Sequence, residues 1–316
     1  MTSMDIVTGA GPVGTTVATR LAEQGRRVRI LTRSGSGPEH PLVERRAVDV
    51  SDPGALDTAL DGLEPGGAIY HCIHGSAYRA DTWERELPAA EEVVLGAAGR
   101  RGAVVVFPES LYSYDASTQP MTEDTPRTVT AGKGGVRTAL LAGRAASPTP
   151  TVSVVASDFF GPHVRTAHAG ERLFPLVLAG KTVRVMGALD VPHSFTYVPD
   201  LAAAMIAAAQ DPALWNSVLH APTSAPRTQR EMVQAVAEAA GVPAPKAGVL
   251  PSWMLRGVGS VHRDTRELAE MLYQFEDPFV LDSAASEQRL GLTPTAFADA
   301  IAETVAWWRE RAATAA

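Results

Sequence analysis

The chain has 316 residues, 45% hydrophobic and 20% charged, with a formal net charge of −7. Its composition is that of a globular protein with room for one large domain or two coupled ones, and its acidic balance, with no basic stripe among aromatics, excludes a nucleic-acid groove. The single cysteine, Cys72, rules out an intrachain disulfide and a cysteine metal site; with no 18-residue apolar run and no leader pattern, a cytoplasmic protein without a membrane partner is expected.

The first segment is the most informative. An apolar run, Met4–Thr8, closes on Gly9-Ala10-Gly11-Pro12-Val13-Gly14, and a helix-periodic stretch follows with Val13, Val17, Leu21 and Ala22 on one face. This order predicts a dinucleotide-binding βαβ unit. Gly9 permits the tight turn, Gly11 lets a pyrophosphate approach the backbone, and Gly14 lets helix and strand pack closely. The helix N-terminus then offers unpaired N–H groups to phosphate.

Further strands are expected near 27–32, 43–48, 67–73, 102–107 and 151–156, with helices near 12–24, 53–61, 83–99 and 134–146. Such alternation predicts an α/β fold, a doubly wound parallel sheet with helices on both faces. Beyond residue 157 loops lengthen and prolines multiply, and helices are expected near 200–210, 228–240 and 295–311. We therefore expect a dinucleotide domain over 1–160, its sheet completed by parts of 190–222, and a smaller interleaved α/β substrate lobe over 161–316.

The end of the second strand addresses cofactor choice. A carboxylate there accepts bonds from both ribose hydroxyls and selects NAD, whereas an arginine pairs with a 2′-phosphate. The chain has Leu31-Thr32-Arg33-Ser34, with no acid. Thr32, Arg33 and Ser34 point to NADP, with NAD as the other possibility. His163 and His168 are five residues apart, which suits neither a helical pair nor a compact zinc cluster, so no metal is expected.

Several segments taken together resemble the extended short-chain dehydrogenase/reductase superfamily, an atypical member of the epimerase/dehydratase-like group. They are the glycine turn at 9–14, Val48-Asp49-Val50, Tyr70-His71-Cys72-Ile73, Phe107 to Tyr114, and Lys133 opening a helix. Asp158-Phe159-Phe160-Gly161-Pro162, Pro192 to Asp200, Leu290 to Pro294, and Trp307-Trp308 complete the set. The resemblance implies a Rossmann fold and cofactor contacts from Gly9, Gly11, Pro12, Val13, Gly14, Asp49, Val50, Lys133 and Phe159. It also implies a dimer built on helices near 83–99 and 134–146. It assigns a serine role to Ser110 and a lysine role to Lys133.

The chain departs from that family at the acid. A tyrosine is expected four residues before Lys133, where Val129 stands. Valine carries no proton, so hydride transfer needs another donor for the alkoxide it leaves. Tyr112, after the fifth strand, is the first substitute; His74, Tyr78 and His193 are the others. His193 also replaces an arginine that grips phosphate in sugar-nucleotide members, and imidazole is a poor stand-in for a guanidinium fork. The reading that follows is an NADP-dependent reductase or dehydrogenase acting on a carbonyl, imine or alkene of a small molecule. An epimerase or dehydratase with tightly bound nicotinamide, and a non-catalytic NADP-binding sensor, are the alternatives.

Overall fold

A computed structural model describes residues 4–314. The first half folds in the order β1 (Met4–Thr8), α1 (Pro12–Glu23), β2 (Arg27–Thr32), β3 (Val43–Ala47), α2 (Pro53–Ala59), β4 (Ala68–His71), α3 (Ala80–Arg100), β5 (Val104–Ser110), α4 (Gly132–Ala146) and β6 (Thr151–Ala156). The second half adds β7 (Asp158–Phe160), α5 (Phe174–Leu178), β8 (Val183–Met186), β9 (Phe195–Tyr197), α6 (Val198–Gln210), β10 (Ser217–His220), α7 (Gln229–Ala240) and β11 (Ala247–Leu250). It ends with α8 (Ser252–Gly259), α9 (Arg263–Ala269), α10 (Tyr273–Glu276), α11 (Ala284–Leu290) and α12 (Phe297–Thr314).

Seven strands form one parallel sheet in the order β3-β2-β1-β4-β5-β6-β10. Successive strand residues face opposite ways, so each central strand feeds two cores. Val7 packs with Val17, Leu21, Leu201 and Met205 from α1 and α6. Its neighbour Ile6 packs with Leu56, Leu60 and Val94 from α2 and α3. All seven of these partner side chains are apolar and fully buried, at roughly 1.5–3 kcal/mol each. The edge strand β3 can carry Glu44, Arg45 and Arg46 because only β2 pairs with it.

The fold is the doubly wound Rossmann sheet read from the alternation. Its boundaries differ in several places: β5 runs on to Ser110 rather than ending near 107, and α2 ends at Ala59 rather than near 61. The fourth strand ends at His71 rather than near 73, and α3 begins at Ala80 rather than near 83. Cys72 still donates its N–H to the Thr8 carbonyl at 2.8 Å, yet the chain leaves the sheet there. One of the sheet's two edge strands, β10, comes from the second half of the chain.

The remaining elements build a lobe over the carboxyl ends of the strands. Two short parallel ribbons, β7–β9 and β8–β11, share a core with α5, α7 and α12 through Phe174, Val185, Phe195, Val236, Ile301 and Trp308. Asp200 at the start of α6 accepts from the Thr295 N–H (2.8 Å) and hydroxyl (2.6 Å), tying the last helix to the sheet layer.

Candidate active site

The strand order reverses between β1 and β4, and in an open α/β sheet the ligand crevice lies at the carboxyl side of that reversal. The glycine turn leaves β1 there. Gly9 has φ +88°, and a Cβ on it would lie 2.7 Å from the Cys72 carbonyl oxygen. A Cβ on Gly14 would lie 2.0 Å from the Gly9 oxygen. Both glycines are therefore required by packing alone. Gly11 differs: nothing lies within 4 Å of the Cβ it lacks. No side chain caps α1 at Gly11, Pro12 follows it, and the first turn holds no acid. The N–H groups of Val13 and Gly14 have no helical partner. An open face, free N–H groups and a positive helix end fit a diphosphate.

At the far end of this crevice Arg33 and Ser34 are exposed and Thr32 is half-exposed. Thr32 donates to the Ser36 carbonyl at 3.0 Å, and Ser34 to the Ser36 hydroxyl at 3.0 Å. Asp49, also exposed, is held below the usual carboxylate range by bonds from the Ser51 hydroxyl and N–H, with Arg33 adding a favourable charge. Val50 turns its side chain into the core beside Leu31 and Leu56, which leaves only its backbone for a ligand. Phe159 packs, half-buried, at the edge of the core beneath α1 and α6.

The other end is built from side chains. Ser110 ends β5, its N–H held by the Glu109 carboxylate at 2.8 Å. One turn later the Tyr112 hydroxyl lies 3.0 Å from the Tyr78 hydroxyl. Trp83 backs this pair: its ring stacks parallel to Tyr112 at 6.4 Å and meets Tyr78 edge-on at 5.4 Å. His74 meets Trp83 edge-on at 4.7 Å, and its pKa is lowered by partial burial and then by the charge of Arg137. Burial pushes the Tyr112 phenol up to about 12, with Asp158 adding to the rise; burial raises Tyr78 further.

Lys133 opens α4 and is 0% exposed. Gly134 lets its turn lie close, since a Cβ there would lie 2.5 Å from both the Tyr112 carbonyl oxygen and Val129. The ammonium does not meet Ser110 or Tyr112. Its nitrogen donates to the Glu267 carbonyl (2.9 Å), the Glu267 carboxylate (2.7 Å) and the Glu270 carboxylate (2.6 Å), and sits 4.9 Å from the centre of the Tyr78 ring. Tyr78, Tyr112 and His74 thus share one aromatic wall with Lys133 behind it, while Ser110 turns toward Glu109.

Sequence reasoning missed Glu267, Glu270 and Asp158 as site residues. Asp158 accepts from His193 at 2.7 Å, while the other His193 nitrogen faces the Gln274 carbonyl at 2.9 Å. His193 is stacked against Phe275 at 4.9 Å and is 2% exposed, which makes it a packed core residue rather than a phosphate grip. Among the described residues no group of three His, Cys, Asp or Glu side chains is placed to hold a metal. No described helix is long and apolar enough to cross a membrane.

Known proteins bear on this geometry at two levels. No curated protein matches the sequence. The fold matches the Bordetella bronchiseptica enzyme WbmH, solved with NAD+, at 20% identity and TM-score 0.75, covering 98% of each chain. It also matches the UDP-glucose 4-epimerase of Thermotoga maritima, solved with UDP-glucose, at 16% identity and TM-score 0.75, covering 98% of this chain and 99% of that one. Residues 6–217 match the model of the NAD dependent epimerase/dehydratase family. That span is well over half of the chain, and the protein belongs to this family.

Proposed function

We propose that the protein is an NADP-dependent reductase acting on a carbonyl, imine or alkene of a small molecule, with Tyr112 as proton donor. The observation that carries the reading is the open, uncapped start of α1 at Gly11. Val13 and Gly14 would bind the diphosphate, Arg33 with Thr32 and Ser34 a 2′-phosphate, and Asp49 the adenine amino group. Lys133 would bind the ribose beside the nicotinamide. When bound, the dinucleotide supplies the hydride.

The phenol pair suits the part of proton donor. An alcohol ionises about as reluctantly as water, near pKa ~16. A phenol at about 12 therefore gives its proton to a new alkoxide downhill. Acting first as a base would need a phenolate, which burial opposes, and the Lys133 ammonium that could stabilise it is already shared by two carboxylates. Tyr78 orients the Tyr112 hydroxyl, and Trp83 and His74 wall the pair.

The epimerase or dehydratase reading is supported by the family match and by neighbours solved with NAD+ and UDP-glucose. Val129 in place of the tyrosine and the packed His193 count against it. A homodimer through α3 and α4 and a cytoplasmic location belong to the same proposal. The test mixes the protein with NADPH and a panel of ketones, cyclic imines and activated alkenes, following loss of NADPH absorbance. Oxidation with at least one class is expected. Tight NADPH binding without oxidation across the panel would favour the sensor, and conversion of a sugar nucleotide without net oxidation would favour the epimerase.

A further inference from the structure

Lys133 has three N–H donors and no acceptor. All three are engaged by Glu267 and Glu270, at 2.6–2.9 Å, so none is left for a ribose. The backbone supports the same contact. Ala131 at the start of α4 has no side chain able to cap it, and Glu270 does so instead, accepting from the Lys133 N–H at 3.0 Å. Glu270 fits closely enough that a Cβ on Gly132 would lie 2.1 Å from its oxygen. Both acids stand on or just after α9, in the lobe opposite the sheet.

Beyond this contact, Ala269 at the end of α9 packs on Met186, Leu272 and Phe275, and the other polar contacts are more exposed. Arg79 pairs with Asp264 at 2.8 Å, Arg263 pairs with Asp81, and the Ala80 N–H reaches Glu267 at 3.2 Å. Asp264 is 61% exposed and Asp81 52%, and exposed pairs of this kind add little to stability. Among the polar contacts of α9 the buried ammonium is the firm point.

We propose that Glu267 and Glu270 are positioning residues that hold Lys133 in reserve, so that docking of α9 and capture of the dinucleotide compete for one ammonium. This rests on the reading above that Lys133 takes the ribose. While α9 is docked, the lysine is withheld and the turn at Gly11, with Arg33, Thr32, Ser34 and Asp49, must hold the cofactor without it. When the cofactor draws Lys133 away, α9 loses its buried ion pair and loosens where it faces α4. The apparent affinity for cofactor is then reduced by the fraction of molecules in which the lysine is free.

The experiment is an NADPH titration followed by nucleotide fluorescence, on the full chain and on Glu267→Gln, Glu270→Gln and the double variant. Glutamine at 270 keeps an acceptor for the α4 cap, and circular dichroism checks that each variant is folded. The double variant should bind NADPH ~tenfold or more tightly than wild type. The same two substitutions should change nothing once Lys133→Met is present, which a merely structural role for the acids would not produce. In the wild type, amide exchange over 263–270 should quicken when NADPH is added. Folded variants that bind no tighter, a gain that persists with Lys133→Met, or exchange over 263–270 that is unchanged or slowed would each overturn the inference while leaving the cofactor reading intact. Absence of nucleotide binding in every form would remove both.

Discussion

The two ends of the crevice are built on opposite plans. The dinucleotide end is backbone: three glycines, a proline and a bare helix terminus, with space at Gly11 and no partner for the first N–H groups. The ring end is side chain against side chain: Tyr78 on Tyr112, Trp83 behind them, and Lys133 consumed by Glu267 and Glu270. The first end leaves its backbone N–H groups without a helical partner. The second satisfies itself and must be opened. On the reading proposed above, affinity comes from the turn and control from the wall.

Substitutions can break this contrast, beginning with the largest effect. Gly14→Ala puts a Cβ 2.0 Å from the Gly9 oxygen, and that neighbour is backbone and cannot yield cheaply. Loss of measurable nucleotide binding is expected, with about 1–3 kcal/mol of stability lost by the usual cost of overpacking; calorimetry and thermal unfolding read both. Gly11→Ala meets nothing in the free protein, so the fold should keep its stability while NADPH affinity drops.

At the ring end, Tyr112→Phe should cut turnover by ~100-fold, the usual share of a positioned proton donor, while NADPH affinity barely moves. Unchanged turnover would transfer the role to Tyr78 or His74. Arg33→Ala should weaken NADPH by ~tenfold and leave NADH unchanged, in line with one charge-assisted phosphate contact. Equal losses for both nucleotides would refute the assignment of Arg33 to a 2′-phosphate.

The smallest effect on the site is expected at Asp5, on the sheet's β1 but away from the turn. Its side chain is 2% exposed, and burial raises its pKa to about 6 despite Arg26. A raised folded pKa contributes stability that is complete below the unfolded value, near 4, and is lost as pH rises through 6. The ionised carboxylate therefore costs about 3 kcal/mol at neutral pH. Buried His71, pushed down to about 3, works in the opposite sense, since its contribution fades as pH falls below the unfolded histidine value. The difference between wild type and Asp5→Asn in denaturant unfolding isolates the carboxyl: the variant's advantage should shrink from pH 7 to pH 4. A constant difference would contradict the pKa, and altered NADPH affinity would contradict the separation of the two regions.

What the sequence disclosed follows the same division. The β1-α1-β2 unit is legible because strand period, glycine spacing and helix period are all local. The places of Arg33 and Asp49, just past β2 and β3, are legible because strand ends are local, while their part in cofactor binding is a proposal. The fourth strand was read too long because Cys72-Ile73 stays apolar after the chain has left the sheet, where Gly9 and Gly14 crowd it. The ribbons β7–β9 and β8–β11 are three or four residues each, too short to show alternation. Glu267 and Glu270 lie 134 and 137 positions from Lys133, on or beside a seven-residue helix with no apolar stripe to announce it. The one available signal was Ala131, a residue that cannot cap α4 and so requires an acceptor from elsewhere.

The central claim is that the glycine turn holds a nicotinamide dinucleotide. Isothermal titration of the full chain with NADPH and then NADH tests it most directly. Saturable one-to-one binding is expected, tighter for NADPH and abolished in Gly14→Ala. Heat no greater than dilution for both nucleotides, with the protein folded, would contradict it.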